Sequence, residues 1–534
     1  MQRIRACLPW EADLTNRLRL LTLLILCYCF AGTATSAQTV STAVCPTNNK
    51  LICTLPEVFG PNGLQQGIGP LLGGAASGTN HQGGHFEESF LSSLTPLNAA
   101  VGSQLTLLPL GSPGSGLVYV YDPTLKTFTA STEDLGPILT ERANTTGRHK
   151  IRLGFIYQRF NFGTLDGSSL HSLPASFLHI DDKGSASGTP DSTNGIQLPA
   201  GTNCTISPDP TKPGDSNSGL CGFVRDRIDT VNDISLRLNQ YTVTATFGLT
   251  NRIDVSLVIP IINVGMSTQS TATIVNNGND NDHQFNPKNP FVTSCVGTPC
   301  RQATFTNSNS ATGVGDIVLR AKGVVWSGER AAVAVAADLR LPTGDEQNFL
   351  GSGTIGFTPF VVASYAARVS PHVNVAYEVN GSSVLAGSIV APTATTASSL
   401  TKGHLPNQFL YAGGADVVIL PKRLAGTFDL IGQRVISAQR ATVTTQSFLG
   451  ACGPAGLAPL DQANSNGYCT SPAANVSQPA LSETRSSFNI LNASLGAKLR
   501  ISDKFIVFGN ALIKLDNGGL RAKVVPLVGA SLSF

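Results

Sequence analysis

The chain is poor in charge. Lys, Arg, Asp and Glu make up 13% of its 534 residues, about half the usual quarter. Met and Trp occur twice each. A helical protein of this size would be richer in Glu, Lys, Leu and Met, so an all-α fold is excluded. Wholesale disorder is excluded too, because 41% of the residues are apolar and the net charge is only +3. Basic residues do not cluster, so nothing points to nucleic acid as a partner. Beyond residue 37 no apolar run approaches 18 residues, and no transmembrane helix is expected there.

What is present begins with a leader. Arg17 and Arg19 precede the apolar run Leu20 to Gly32, and Thr33-Ala34-Thr35-Ser36-Ala37 follows. That order reads as a secretory signal peptide, residues 1–37. The run is short of the ~20 residues that a membrane anchor needs. Of the 11 cysteines, Cys7, Cys27 and Cys29 lie in the leader. The other eight form sequence-local pairs: Cys45 with Cys53, Cys204 with Cys221, Cys295 with Cys300, and Cys452 with Cys469. In an exported chain such pairs are expected to be disulfides. A zinc site would need Cys-x-x-Cys or His partners at tetrahedral spacing, and neither occurs.

The rest of the chain repeats one pattern, long segments alternating with period two. In Gln240 to Leu249, one face is Tyr241, Val243, Ala245, Phe247 and Leu249, and the other carries Gln240, Thr242, Thr244 and Thr246. Twelve such strands are expected, at 148–160, 237–249, 252–264, 315–326, 331–342, 354–368, 372–381, 407–420, 423–436, 485–501, 504–515 and 521–534. They exceed the usual length of about five or six residues and suit a tilted bilayer crossing. The connections alternate between tight turns and long loops, the signature of a transmembrane up-and-down barrel with periplasmic turns and extracellular loops. The expected fold is therefore an all-β, antiparallel transmembrane barrel of twelve strands, or fourteen if a hairpin at 116–129 joins the wall.

In hydrocarbon every backbone polar group must be paired internally, which a closed barrel achieves. Its polar faces would then line a wet lumen. The expected lumen-lining residues are Arg152, Gln158, Arg320, Lys322, Asp338, Arg340, Arg368, Glu378, Asp416, Asp429 and Lys498. They either set ion preference or form cross-wall pairs such as Arg320 with Asp338. A β-sandwich with a solvated outer face is the competing architecture, but it leaves the one-sided loop lengths unexplained. Three prolines, Pro260, Pro359 and Pro526, fall inside strands and predict bulges, kinks or strand ends. Ile156, Phe360, Leu410 and Ile431 fall on polar faces, marking a greasy patch of the lumen or an error of register.

Residues 38–147 differ. They hold a Gly-rich stretch, helix candidates at Phe86–Leu94 and Leu97–Leu107, and the hairpin turning at Asp122-Pro123. The expected role is a plug in the barrel, with a periplasmic arm as the alternative. Residues 148–534 form the barrel. The last strand alternates Val524, Pro526, Val528, Ala530, Leu532 and Phe534 against Lys523, Gly529, Ser531 and Ser533. It ends on Phe534, which resembles the signal read by the outer-membrane insertion machinery.

No catalytic constellation is visible. His81 and His85 flank Gln-Gly-Gly, Ser399-Leu400-Thr401-Lys402 lacks partner motifs, and Asp345 with Glu346 offer too few oxygens for Ca²⁺. No cofactor, no metal and no enzymatic activity are expected.

Several motifs carry a resemblance. Gly248 to Leu257, Gly315 to Lys322, Leu339 to Asp345 and Leu350 to Gly353 resemble the outer-membrane family named for the MetA pathway of phenol degradation. That family looks related to long-chain fatty-acid and aromatic-hydrocarbon transporters. The block Gly136 to Ala143 with Gly147 is similar to members with an N-terminal extension. The resemblance covers roughly 135–534 and implies uptake of small hydrophobic molecules across the bacterial outer membrane through a plugged barrel. The large disulfide-bearing loops depart from the family, and a structural or adhesive surface barrel is the alternative.

Overall fold

The computed structural model describes residues 50–59, 66–68, 94–109, 119–122, 127–130, 138–178, 227–275, 283–285, 292–297, 300–390, 399–421, 423–449 and 475–534. The leader, the helix candidate Phe86–Leu94 apart from Leu94, His81, His85, Cys45, Cys204, Cys221, Cys452 and Cys469 lie outside them.

Twelve antiparallel strands close into one barrel. They are β1 (Ile151–Leu165), β2 (Arg227–Gly248), β3 (Ile253–Val275), β4 (Gln302–Val314 continued by Ile317–Ser327), β5 (Ala331–Leu341) and β6 (Gly356–Tyr365). There follow β7 (Val369–Asn380), β8 (Asn407–Leu420), β9 (Leu424–Leu449), β10 (Asn475–Arg500), β11 (Phe505–Lys514) and β12 (Leu520–Ala522 continued by Val524–Ser533). Closure runs through β12 on β1, where Leu527 pairs with Gln158 and Ser533 with Arg152. Phe534 completes the seam, exchanging backbone hydrogen bonds with Ile151 of 2.9 and 3.3 Å, while its side chain stays exposed. The hairpin Tyr119–Asp122 with Thr127–Ala130 pairs only with itself, so the wall has twelve strands rather than fourteen.

The exterior of the lower wall is apolar. Ile151, Leu153 and Phe155 on β1, Val243 and Phe247 on β2, Val361 on β6 and Val373 and Val375 on β7 all point outward and are exposed. Aromatic residues close the upper edge of this band, with Tyr157 beside Tyr241 at 5.0 Å between ring centroids and Tyr377 paired with Phe409. A closed wall with an apolar band and an aromatic girdle is that of an outer-membrane barrel. Among the described residues no helix is long and apolar enough to cross a membrane.

Above the girdle the polarity of the two faces exchanges. Outward positions become Arg159, Asn161, Arg237, Ser267, Gln269, Thr306 and Ser308, all exposed. Inward positions become Phe160, Phe162, Leu236, Leu238, Val264, Met266 and Phe305, all buried. Water replaces lipid outside, and inside, helix α1 (Leu94–Leu105) and residues Leu51–Phe59 fill the barrel with an apolar core. This exchange explains why the strands outrun expectation. β2 starts at Arg227 instead of 237, β3 reaches Val275 instead of 264, and β9 and β10 extend to Leu449 and from Asn475. The contrast that marks a strand in the bilayer fades where it changes sign.

The prolines coincide with defects in the ladder, as their missing N–H requires. Pro260 lies opposite the interruption between the two halves of β4, and its carbonyl accepts from Gly315 N–H at 2.8 Å. The β6–β7 pairing omits Thr358 and Pro359. Pro526 pairs with Ala511 of β11 but has no partner on β1, where register shifts between Arg521 and Ala522. Among the described cysteines one lies in a strand. Cys295 belongs to the short strand Val292–Val296, added outside β4, and is bridged to Cys300 with Cα atoms 5.7 Å apart. Cys53 is also disulfide-bonded.

Burial of the Leu51–Phe59 segment has a titration consequence. Glu57 sits among these side chains, and burial pushes its carboxyl up to about 7. A folded-state value above the unfolded one means that local stability is full below about 4.5 and falls as pH rises towards 7. Hydrogen exchange of residues 51–59, corrected for intrinsic rate, should therefore be about tenfold faster at pH 8 than at pH 5, allowing for partial solvation. Glu57→Gln should remove that difference.

Candidate functional site in the barrel lumen

The lower lumen is crossed by a strap, residues 138–149, held from six directions. Thr140 Oγ1 lies 3.2 Å from Asp429 of β9 and 2.8 Å from His372 of β7. Glu141 spans to β4, 2.6 Å from Arg320 and 3.1 Å from Lys322. Its backbone forms a reciprocal pair with the Asn374 amide, at 3.0 and 3.1 Å. Arg142 donates Nε and Nη2 to Asp416 of β8, at 3.1 and 2.7 Å, and Nη2 to the Ser370 carbonyl at 2.9 Å. Ala143 N–H donates to Ser364 of β6, and Thr146 donates N–H and Oγ1 to Asp254 of β3 at 2.8 and 3.2 Å. The strap returns to the wall where His149 N–H donates to the Gly248 carbonyl at 2.7 Å. A Cβ on Gly248 would come within 1.8 Å of the Gly147 carbonyl oxygen, which explains glycine at that strand end.

The expected lumen residues fall on the inner wall with one exception. Arg152, Gln158, Lys322, Glu378, Asp416, Asp429 and Lys498 are buried there, and Arg320, Asp338 and Arg340 are half-buried. Arg320 makes a bidentate pair with Asp338, 2.6 Å at each nitrogen. Arg340 reaches Glu378 at 3.0 Å and also donates to Asn380. Arg368 is the correction. β6 ends at Tyr365, so Arg368 sits exposed in the turn to β7, where its carbonyl accepts from Val418 N–H. The turn closes earlier than the alternation suggests because Ser370 Oγ binds Ala367 on both sides, accepting from its N–H at 3.1 Å and donating to its carbonyl at 2.6 Å.

Of the residues that bind the strap, Arg320, Lys322, Asp416 and Asp429 were among the expected lumen residues, while His372, Asn374, Asp254 and the Thr140–Arg142 triplet itself were missed. Glu141 and Arg142 stand in the quoted Gly136–Ala143 block, whose adjacent opposite charges were the available signal. Asp316 was missed too. This buried carboxylate accepts from Gly344 N–H at 3.1 Å, from Ser352 N–H at 2.7 Å and from Ser352 Oγ at 2.5 Å, tying down the 343–353 loop. Gly351 is required here, since a Cβ would meet Asp316 Oδ1 at 2.3 Å and Gly344 Cα at 2.7 Å. Asp316→Ala strands two buried N–H groups, each worth about 1–3 kcal/mol. Proteolytic cleavage within 343–353 should rise accordingly while the barrel stays folded. Asp345, weighed for Ca²⁺, instead accepts from Gln347 N–H at 3.1 Å at the start of a short 3₁₀ turn and pairs with Lys50 at 2.7 Å. Burial would raise its carboxyl, but the Lys50 hydrogen bond and charge hold it below the ordinary value.

Between strap and helix lies a cavity of about 290 Å³. Leu139 and Glu141 form its floor, and Leu105, Leu107, Phe349 and Leu350 its roof. Most of its surface is apolar, including Leu238, Val258, Ile262, Phe360, Leu410 and Ile431, and the charged residues Asp316, Arg320, Asp338, Arg340 and Glu378 line it too, with Gln240 and Asn374. Phe360, Leu410 and Ile431, which looked misplaced on polar faces, belong to this greasy wall. Ile156 packs instead with Ile138, Ile506 and Phe508. Among the described residues no group of His, Cys, Asp or Glu is arranged to hold a metal ion.

No curated protein matches the chain. Among solved structures it is similar to an outer membrane channel from Pseudomonas putida F1 (TM-score 0.35, 8% identity, 73% of this chain and 98% of that one). It is also similar to a Pseudomonas aeruginosa FadL homologue (0.25, 9%, 79% and 94%) and to the Ralstonia pickettii toluene transporter TbuX (0.24, 8%, 73% and 90%). In sequence, residues 215–412, from the approach to β2 through the first half of β8, match the family described as “Putative MetA-pathway of phenol degradation”, the family that the turn and strand motifs resemble.

Proposed function

We propose that the barrel is an outer-membrane channel for the uptake of small hydrophobic compounds, aromatic or fatty-acid-like, with residues 38–147 acting as its plug. The observation that carries this reading is the largely apolar cavity in mid-lumen, above a strap fixed by ion pairs. An apolar cavity of roughly 150 Å³ already takes up benzene, so 290 Å³ accommodates a substituted single ring. Arg340, Glu378 and Gln240 would orient a polar substituent at one edge. The ladder gap at Thr358–Pro359 borders the cavity through Thr358 and offers a side exit towards lipid.

The test is entry into proteoliposomes. The reconstituted chain should speed entry of toluene-sized apolar solutes while leaving sugars of similar mass excluded. Deleting residues 38–130 should open the barrel to both. Equal entry of both solute classes through the intact chain would overturn the selectivity, and unchanged permeability after deletion would overturn the plug.

A further inference from the structure

We propose that Arg159, Arg237 and Lys523 form a binding site on the outer wall for the phosphate groups of outer-leaflet lipid. β1 and β2 are in direct register here, with Tyr157 opposite Tyr241, Arg159 opposite Asn239 and Asn161 opposite Arg237. Ala522 of β12 pairs with Phe162 on the other side of β1, which puts Lys523 level with Asn161. Three cations from three adjacent strands thus surround Asn161, and all three are exposed.

Depth identifies the partner. Directly below the cluster lie Tyr157 and Tyr241, and below them Phe155, Val243 and Ala530, the apolar band. One residue pair along a strand is about 3.3 Å, so the cations begin within two pairs of the girdle. That is where lipid headgroups stand, and where long basic side chains extend to reach phosphate.

The charges are also uncompensated. Among the described residues Arg237 and Lys523 form no ion pair, and Arg159 Nε bonds only the Asn161 amide oxygen, at 3.4 Å. The carboxylates of the same region are engaged elsewhere. Asp233 pairs with His171 at 2.7 Å, Asp229 with Arg227 at 3.0 Å, and Asp166 with Arg440 at 2.6 Å. Three strands away from β12, the exposed Arg434 of β9 bonds Asn489 at 3.1 Å, and its register partners Phe409 and Asn489 are not cations. Self-repulsion among the three is relieved by an anion carrying more than one phosphate, and a diphosphorylated lipid headgroup supplies this at the right height.

The experiment uses the purified full chain in neutral detergent, titrated with diphosphorylated lipid A and with its dephosphorylated form, read by native mass spectrometry. Wild type should retain the phosphorylated lipid selectively. Each cation near the membrane surface contributes about fivefold, so R159Q/R237Q/K523Q should bind it roughly 100-fold more weakly. R159K/R237K, which keeps the charge, should retain most of the affinity, and R330Q at the opposite rim should leave it unchanged. Heat-modifiable gel migration verifies folding of each variant. Equal binding by the triple variant, or equal retention of dephosphorylated lipid, would overturn the proposal. So would full displacement by millimolar inorganic phosphate, which would indicate a site for the free anion instead.

Discussion

Replacing Glu141 and Arg142 together by alanine is expected to convert a nearly closed barrel into an open pore, with single-channel conductance in planar bilayers rising by an order of magnitude or more. The expectation rests on where the two side chains end. Arg142 is 4% exposed and Asp416 1%, so neither charge can be rehydrated in place when its partner goes. Removing one member of a buried pair costs about 3–5 kcal/mol. Glu141 adds a second anchor, because Lys322 and Arg320 both converge on it. The remaining strap bonds, among them those from Thr140, Ala143, Thr145 and Thr146 and the pair between the Glu141 backbone and Asn374, are each worth about 1 kcal/mol, more where they meet a carboxylate. The double variant therefore loses most of what holds residues 138–149 across the lumen. The wall does not depend on the strap for its ladder, so the variant should still migrate as a heat-modifiable barrel. Unchanged conductance with a folded barrel would show that the strap is not what blocks the lower lumen.

Filling the cavity should have the opposite effect. Ala376 lies on β7 between Phe360 and Leu410, its register partners, and lines the cavity. Ala376→Trp places an indole where a single-ring solute would sit. An aromatic ring buries 150–250 Å², at about 25 cal/mol per Å², so displacing it sacrifices several kcal/mol of ligand binding. Uptake of toluene-sized solutes should drop at least tenfold, with the resting conductance unchanged or lower. The partial exposure of Ala376 towards the lumen means that the added bulk meets empty space instead of packed wall. Wild-type uptake by this variant would place the path elsewhere.

These two variants also separate what each part of the lumen does. One loosens a polar, ion-paired lower half, and the other fills the cavity that lies between it and the apolar core above. The boundary between the halves falls near the height at which the outer face changes from lipid to water. Below it, lipid requires an apolar exterior and leaves polar side chains for the interior. Above it, a hydrated exterior leaves apolar side chains for α1 and residues 51–59 to pack against.

That division explains how much could be read from residues alone. Segments such as Ile253–Leu257 and Asn407–Leu420 are strands fixed by period-two contrast, and the short turns at one rim follow from their spacing. The Arg320–Asp338 pair is legible because both residues share one face of neighbouring strands. Other features left no such mark. The Gln302–Val314 half of β4 is largely Thr, Ser, Asn and Ala, with little contrast to detect. Arg368 carried the right alternation but lay past the end of its strand, because the Ser370 hydroxyl bonds back to Ala367 and turns the chain there.

By itself, then, the sequence determined the class of the wall and which face meets lipid, because period-two patterning is a local property read against a fixed solvent, while the choice of twelve strands over fourteen waited on the pairing of one hairpin. Only the tertiary structure decided what occupies the interior. The strap is irregular backbone that lacks any repeat. Its partners, from Asp254 to Asp429, come from strands distant in the chain and meet only when the twelve-stranded ring is closed.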